Sequence, residues 1–210
     1  MAEDPKSEKY LDRYEVVAVA LPGAALLLFV WNLRPELFGA AQIELKDVTV
    51  GALGIFTIAA LIAGQIVQAV ANVVEEILNL VADLGKKSPV SSLPLHRQRQ
   101  FVDAIKALKI DNPETIDRRR YRRQLGKEIS RTARQRDVTG MLQVWNVSYG
   151  LHRGLAVAAG VALIIASLNH DSTRIVVFAL IFAAMTHRAT RFSRRYEGEA
   201  LRLFLDPPSA

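Results

Sequence analysis

The sequence predicts an all-α polytopic membrane protein, with about four transmembrane helices and a basic cytoplasmic helical hairpin between spans 2 and 3. Three observations predict it. Two runs, Val16–Leu33 over 18 positions and Val48–Val74 over 27, carry no charged residue, and runs of that length are span candidates. Basic charge is concentrated in the middle of the chain. Of 27 basic and 21 acidic residues, fifteen basic and five acidic fall between Lys86 and Arg136, giving that segment +10 against +6 for the whole chain. Third, the chain of 210 residues is 50% apolar and only 23% charged. This composition excludes a simple soluble globule and a disordered chain. The absence of cysteine excludes a disulfide scaffold, a thiol nucleophile and cysteine-based zinc or iron–sulfur sites.

Span 1 is Val16–Leu33, with a bend expected at Pro22-Gly23 and Trp31 as an interface anchor near its far end. Its N-terminal flank lacks a positive bias, and Leu37-Phe38-Gly39-Ala40 is a poor cleavage site, so the span is expected to be retained. Span 2 starts near Thr49. Spans 3 and 4, Leu155–Leu168 and Ile175–Thr186, are joined by Asn169-His170-Asp171-Ser172 and are short, at 14 and 12 residues. They must extend into their flanks, be shielded by neighbours, or form a re-entrant hairpin, because a bilayer core takes about 20 helical residues. The chain thus reads as three stretches. Residues 1–85 hold the tail, spans 1 and 2 and a cytoplasmic extension; 86–137 the basic helical segment; 138–210 spans 3 and 4 with a basic tail. The positive-inside rule places both termini and the central segment in the cytoplasm. Alanine- and arginine-rich usage without a transit pattern suggests a bacterial inner membrane.

The helix of span 2 is expected to overrun the bilayer. Ile66, Val70, Val73, Ile77, Val81 and Leu84 step at helical spacing, while Gln65, Gln68, Asn72, Glu75, Glu76, Asn79 and Asp83 fall within about 100° on the other side. A helix from Thr49 to Leu84 would be about 54 Å long, against about 30 Å of hydrocarbon. Leading into span 3, Thr139, Gln143, Asn146, Gly150 and Arg153 share one face, flanked by Trp145 and Tyr149. An ion pair between Arg153 and Glu75 or Glu76 is expected where the two helices meet the membrane surface, since an unpaired charge there is costly. These stripes are candidates either to pack against protein or to line a pore.

In the middle segment, Lys86–Pro94 reads as a linker and His96–Ile110 as a helix with Phe101, Val102, Ile105 and Leu108 on one face. Asn112 and Pro113 then start a helix running to about Arg136. Arg120, Arg123, Lys127, Arg131 and Arg134 share an arc of about 80°, opposite Tyr121, Leu125 and Ile129. This pattern fits a helix packed on one side with a basic face open to an anion: nucleic acid or a nucleotide, anionic lipid, or the chain's own Glu75, Glu76 and Asp83.

Catalytic patterns are missing. His96, His152, His170 and His187 are scattered, and only His152 and His187 are placed to approach each other. No phosphate loop, G-x-G-x-x-G or G-x-S-x-G occurs. Gly51-Ala52-Leu53-Gly54 reads as a small-residue packing face. No enzyme activity, metal or cofactor is expected.

Gly64–Glu75 (GQIVQAVANVVE) and Trp145–Gly154 (WNVSYGLHRG) resemble motifs of an uncharacterised family of small bacterial four-helix multi-pass membrane proteins. The resemblance spans most of the chain and implies a fold, with no activity attached. In architecture alone the chain is also similar to small membrane effectors of antiphage systems, which join spans to a cytoplasmic sensing part. The leading expectation is a non-catalytic, self-associating membrane protein, in effector form a pore former, whose basic segment engages an anionic partner. The alternatives are an anchor or accessory subunit of a larger membrane complex and, last, a membrane-embedded enzyme acting on lipid. The expected partners are the bilayer, a second copy or another membrane protein, and anionic lipid or nucleic acid.

Overall fold

A computed structural model describes residues 15–38, 49–82, 102 and 126–205. Every regular element among the described residues is helical. A wide π-type turn at Glu15–Ala20 leads into α1, Leu21–Leu33, and a short 3-10 turn, Pro35–Phe38, follows it. Then come α2, Val50–Ala82, α3, Gly126–Arg136, α4, Met141–Leu168, and α5, Ser172–Leu205. Four of these segments are long and apolar enough to cross a membrane: Val16–Leu33, Val50–Ile77, Met141–Leu168 and Ser172–Leu205. The first two coincide with the charge-free runs. The last two are not short. They run 28 and 34 residues as continuous helices, so the apolar stretches of spans 3 and 4 extend into their polar flanks. The helix of span 2 covers 33 residues, about 50 Å, close to the expected overrun. The expected linker, the expected 96–110 helix apart from Val102, and the first half of the arginine-dense helix lie outside the described residues.

The chain divides into two compact units, Met1–Val73 with Gln143–Ser193, and Val74–Leu142 with Arg194–Ala210. The first unit packs through small residues. Ala60, Ala63, Val67 and Ala71 on α2, and Ala156, Ala158, Ala159, Ala162 and Ala166 on α4, are buried. Small side chains let helix backbones approach closely, which is how membrane helices gain dispersion contact without a hydrophobic drive between them. The closest approach is at Gly23 and Gly64. A Cβ on Gly64 would lie 2.1 Å from the Val19 carbonyl oxygen, and one on Gly23 would lie 1.9 Å from that of Ala60. Farther along, Leu33, Ala162, Ala166 and Phe178 form a buried cluster, with Phe29 edge-on to Phe178 at 5.1 Å.

The end of α1 and the α4–α5 turn meet. Asn169 Nδ2 donates to the Leu33 carbonyl at 3.3 Å, taking one of the acceptors a helix end leaves open. Asp171 opens α5 by accepting the Arg174 N–H at 3.0 Å. Beyond α1, a backbone hydrogen bond within Glu36, with Arg34 beside it, holds the Glu36 carboxyl below the ordinary carboxylate range. The outward surface is apolar: Ile55, Ile58, Ile62, Ile66, Val70, Ile164, Leu180 and Phe182 are all exposed. In water such a surface would drive association; on helices of this length it suits hydrocarbon.

The second unit has its own core of Ile129, Ala133, Leu142, Ala200, Leu203 and Phe204. Two charged side chains cap helices there. Arg136 donates to the carbonyls of Leu203 at 3.2 Å and Phe204 at 2.9 Å, at the C-terminal end of α5, where positive charge meets the helix dipole. The Asp137 carboxylate accepts the N–H groups of Met141 at 3.2 Å and Leu142 at 2.8 Å, which start α4.

Candidate functional site

The polar stripe of α2 does not act as one surface. Gln68 is turned inward and is only 7% exposed. Gln65 and Asn72, within about 60° of it on the wheel, are exposed, as is Glu76, while Glu75 is half-buried. Asn79 and Asp83 carry no described side chain. On the partner stripe of α4, Gln143, Asn146 and Arg153 are half-buried.

Gln68 sits at the meeting of three segments. Its Nε2 donates to the carbonyl of Ala18 and, at 3.1 Å, to that of Gly150. Its Oε1 accepts from Arg153 Nη2 at 2.8 Å. The sequence explains why Ala18 needs a donor. Pro22, four residues later, has no N–H to give the Ala18 carbonyl its ordinary α-helical bond. One amide side chain therefore relieves the carbonyl that Pro22 leaves open and also holds the guanidinium. Gly154 makes room for this: a Cβ there would meet Pro22 Cγ at 2.7 Å and Gln68 Nε2 at 3.0 Å. The Arg153 guanidinium also lies over the Tyr149 ring, 5.1 Å from its centre, an additional attraction for a cation. Chemically, the node ties two other segments to α2 and holds a guanidinium in place.

Beside the node, an aromatic group forms between α4 and α5. Trp145 and His152 both stand against Phe192 of α5, with ring centres 5.8 and 5.0 Å away. His152 Nδ1–H donates to the Ser148 carbonyl at 2.6 Å. His187 is exposed on α5. Among the described residues no group of three His, Asp or Glu side chains gathers in metal-binding proximity.

On α3, Lys127, Arg131 and Arg134 are exposed, whereas Ile129 and Ala133 are buried. Arg120 and Arg123 lie outside the described residues. Three functional positions escaped the sequence reading: Pro22 as the source of an open carbonyl, Gly154 as the space that admits Gln68, and Arg136 as a cap. A glutamine inside an apolar run, about two helical turns before the first charge at Glu75, was the available signal for the first two. Comparison with protein-family models, curated proteins and solved structures finds no match for this chain.

Proposed function

We propose that this chain is a non-catalytic integral membrane protein that self-associates through the outward side of the α2 polar stripe. Its basic cytoplasmic helix engages an anionic partner. The observation carrying this reading is the split of the stripe: Gln68 is satisfied inside the unit, while Gln65 and Asn72 are exposed. From Val50, Gln65 lies about 22 Å along the helix and Asn72 about 33 Å. With a core of about 30 Å, Gln65 is within hydrocarbon and Asn72 at its edge. An amide left unpaired in hydrocarbon costs about 2–7 kcal/mol, and a second copy presenting the same amides relieves both. The membrane is taken to be a bacterial inner membrane with both chain ends cytoplasmic, on the charge asymmetry of the loops.

The cysteine-free sequence makes the test direct. Gln65→Cys, oxidised in native membranes, is expected to give a cross-linked pair of chains. Ile66→Cys, about 100° away on an exposed apolar surface, is expected to give none. Single-chain particles in nanodiscs together with no cross-link at position 65 would overturn the proposal. Cross-linking of position 65 to a different protein would favour the accessory-subunit reading. Ion leakage through reconstituted vesicles, lost in Gln65→Leu, would identify the paired stripes as the lining of a water path.

A further inference from the structure

We infer that α5 carries a binding site for an anionic phospholipid headgroup, built by Arg188 and Arg191 with His187 beside them. All three are exposed. On the helical wheel they occupy an arc of about 100°, turned away from Phe178 and Ala189, which are buried on the same helix. The two arginines are three residues apart, so their planar forks stand as neighbours, a geometry suited to phosphate oxygens.

Depth places the pair. From Ser172, Arg188 lies about 24 Å along α5 and Arg191 about 28 Å, near the far edge of a core of about 30 Å. Long basic side chains at that depth extend their charge into the headgroup layer. An independent marker agrees. Trp145 of α4 stacks on Phe192, the residue next to Arg191, and tryptophan concentrates at the bilayer interface. The helix supplies no counter-charge of its own: α5 has no acidic residue before Glu197. Among the described residues no ion pair engages Arg188 or Arg191, and the leaflet itself supplies the negative charge, as the phosphate of a lipid such as phosphatidylglycerol.

The protein has two tryptophans, so Trp31→Phe leaves Trp145 as the sole reporter beside the site. The full chain would be reconstituted in bilayers, and Trp145 quenching compared for bromine-labelled phosphatidylglycerol and bromine-labelled phosphatidylcholine. The expected preference for phosphatidylglycerol is about five-fold or more, from the usual attraction of one basic side chain to an anionic surface, and it should decline with added salt. Arg188→Gln with Arg191→Gln should bring it close to unity, while Arg174→Gln, at the other end of α5, should leave it unchanged. Equal quenching by the two lipids in the Trp31→Phe protein would overturn the inference without reliance on any arginine variant. So would a preference that survives the double substitution, or one erased by excess inorganic phosphate, which would identify a free anion as the ligand.

Discussion

Gln68 uses its amide N–H groups and its carbonyl oxygen to tie α2 to two other segments, the turn before α1 through Ala18 and α4 through Gly150 and Arg153. Gln68→Leu keeps the volume but leaves the Ala18 carbonyl and the Arg153 guanidinium short of a partner. The expected loss is about 1–2 kcal/mol, between the cost of an unsatisfied buried group and the smaller values typical of membrane interiors. Gln65→Leu, three residues earlier and exposed, should leave the stability of the single chain unchanged. Reversible unfolding in mixed micelles would measure both, and equal stability of the two variants would remove the node from the account. Glycines give a second residue-scale test with opposite signs. A Cβ at Gly64 would collide with the Val19 backbone, whereas nothing lies within 4 Å of one at Gly54. Gly64→Ala should therefore destabilise by about 1–3 kcal/mol through forced separation of the helices. Gly54→Ala should stabilise by up to about 1 kcal/mol, the helix preference of alanine.

At the scale of elements, α3 has two working sides. Ile129 and Ala133 face the core, and Arg136, on that same side, ties the helix to the last carbonyls of α5. Arg136→Met should cost about 1–2 kcal/mol, from two hydrogen bonds and a charge at a helix C-terminus. Arg134→Met, on the exposed side, should cost almost nothing in stability. The exposed side instead predicts a binding phenotype. Replacing Lys127, Arg131 and Arg134 with glutamine should weaken association with nucleic acid or anionic vesicles, and the difference from the native chain should shrink as salt rises. Binding unaffected by the substitution, or insensitive to salt, would assign this face to solvent and topology alone. Much of α3 was legible beforehand, because a helix with apolar and basic residues on opposite sides has few ways to pack. The role of Arg136 was not: it falls about 180° from Lys127, and only the course of α5 turns it into a cap.

For the whole molecule, the contact between Asn169 and Leu33 makes a topological statement. The end of α1 and the α4–α5 turn belong to the same end of the first unit. A reporter inserted at His170 should therefore appear on the same side of the membrane as one at Ala41, with reporters at Ser91 and after Ala210 on the other side. Accessibility labelling of intact cells reads this directly, and Ser91 and Ala41 on one side would end the four-crossing arrangement. The same weave bears on Arg153. The guanidinium is bonded to Gln68 and lies over Tyr149, whereas Arg174 sits on the turn paired with Asp171 at 3.2 Å. Arg153→Ala should lower stability more than Arg174→Ala, since exposed ion pairs contribute about 0–1 kcal/mol.

What the sequence determined by itself is the set of membrane-length helices. Val16–Leu33 and the run beginning at Val50 were readable from composition alone, because exclusion of charge from a long stretch is a local property that hydrocarbon imposes on any chain crossing it. The length of α2 and the one-sided packing of α3 followed from helical periodicity in the same way. Tertiary structure decided which polar residues turn inward. The wheel places Gln65, Gln68 and Asn72 within about 60° of one another, too close for periodicity to separate them. The choice of Gln68 rests on neighbours distant in the chain: the carbonyl opened by Pro22, the space left by Gly154, and the Gly23–Gly64 approach that brings α1 onto α2. Hydrogen-bond satisfaction in a dry interior depends on which atoms lie within about 3 Å, and only the packed fold brings these segments that close.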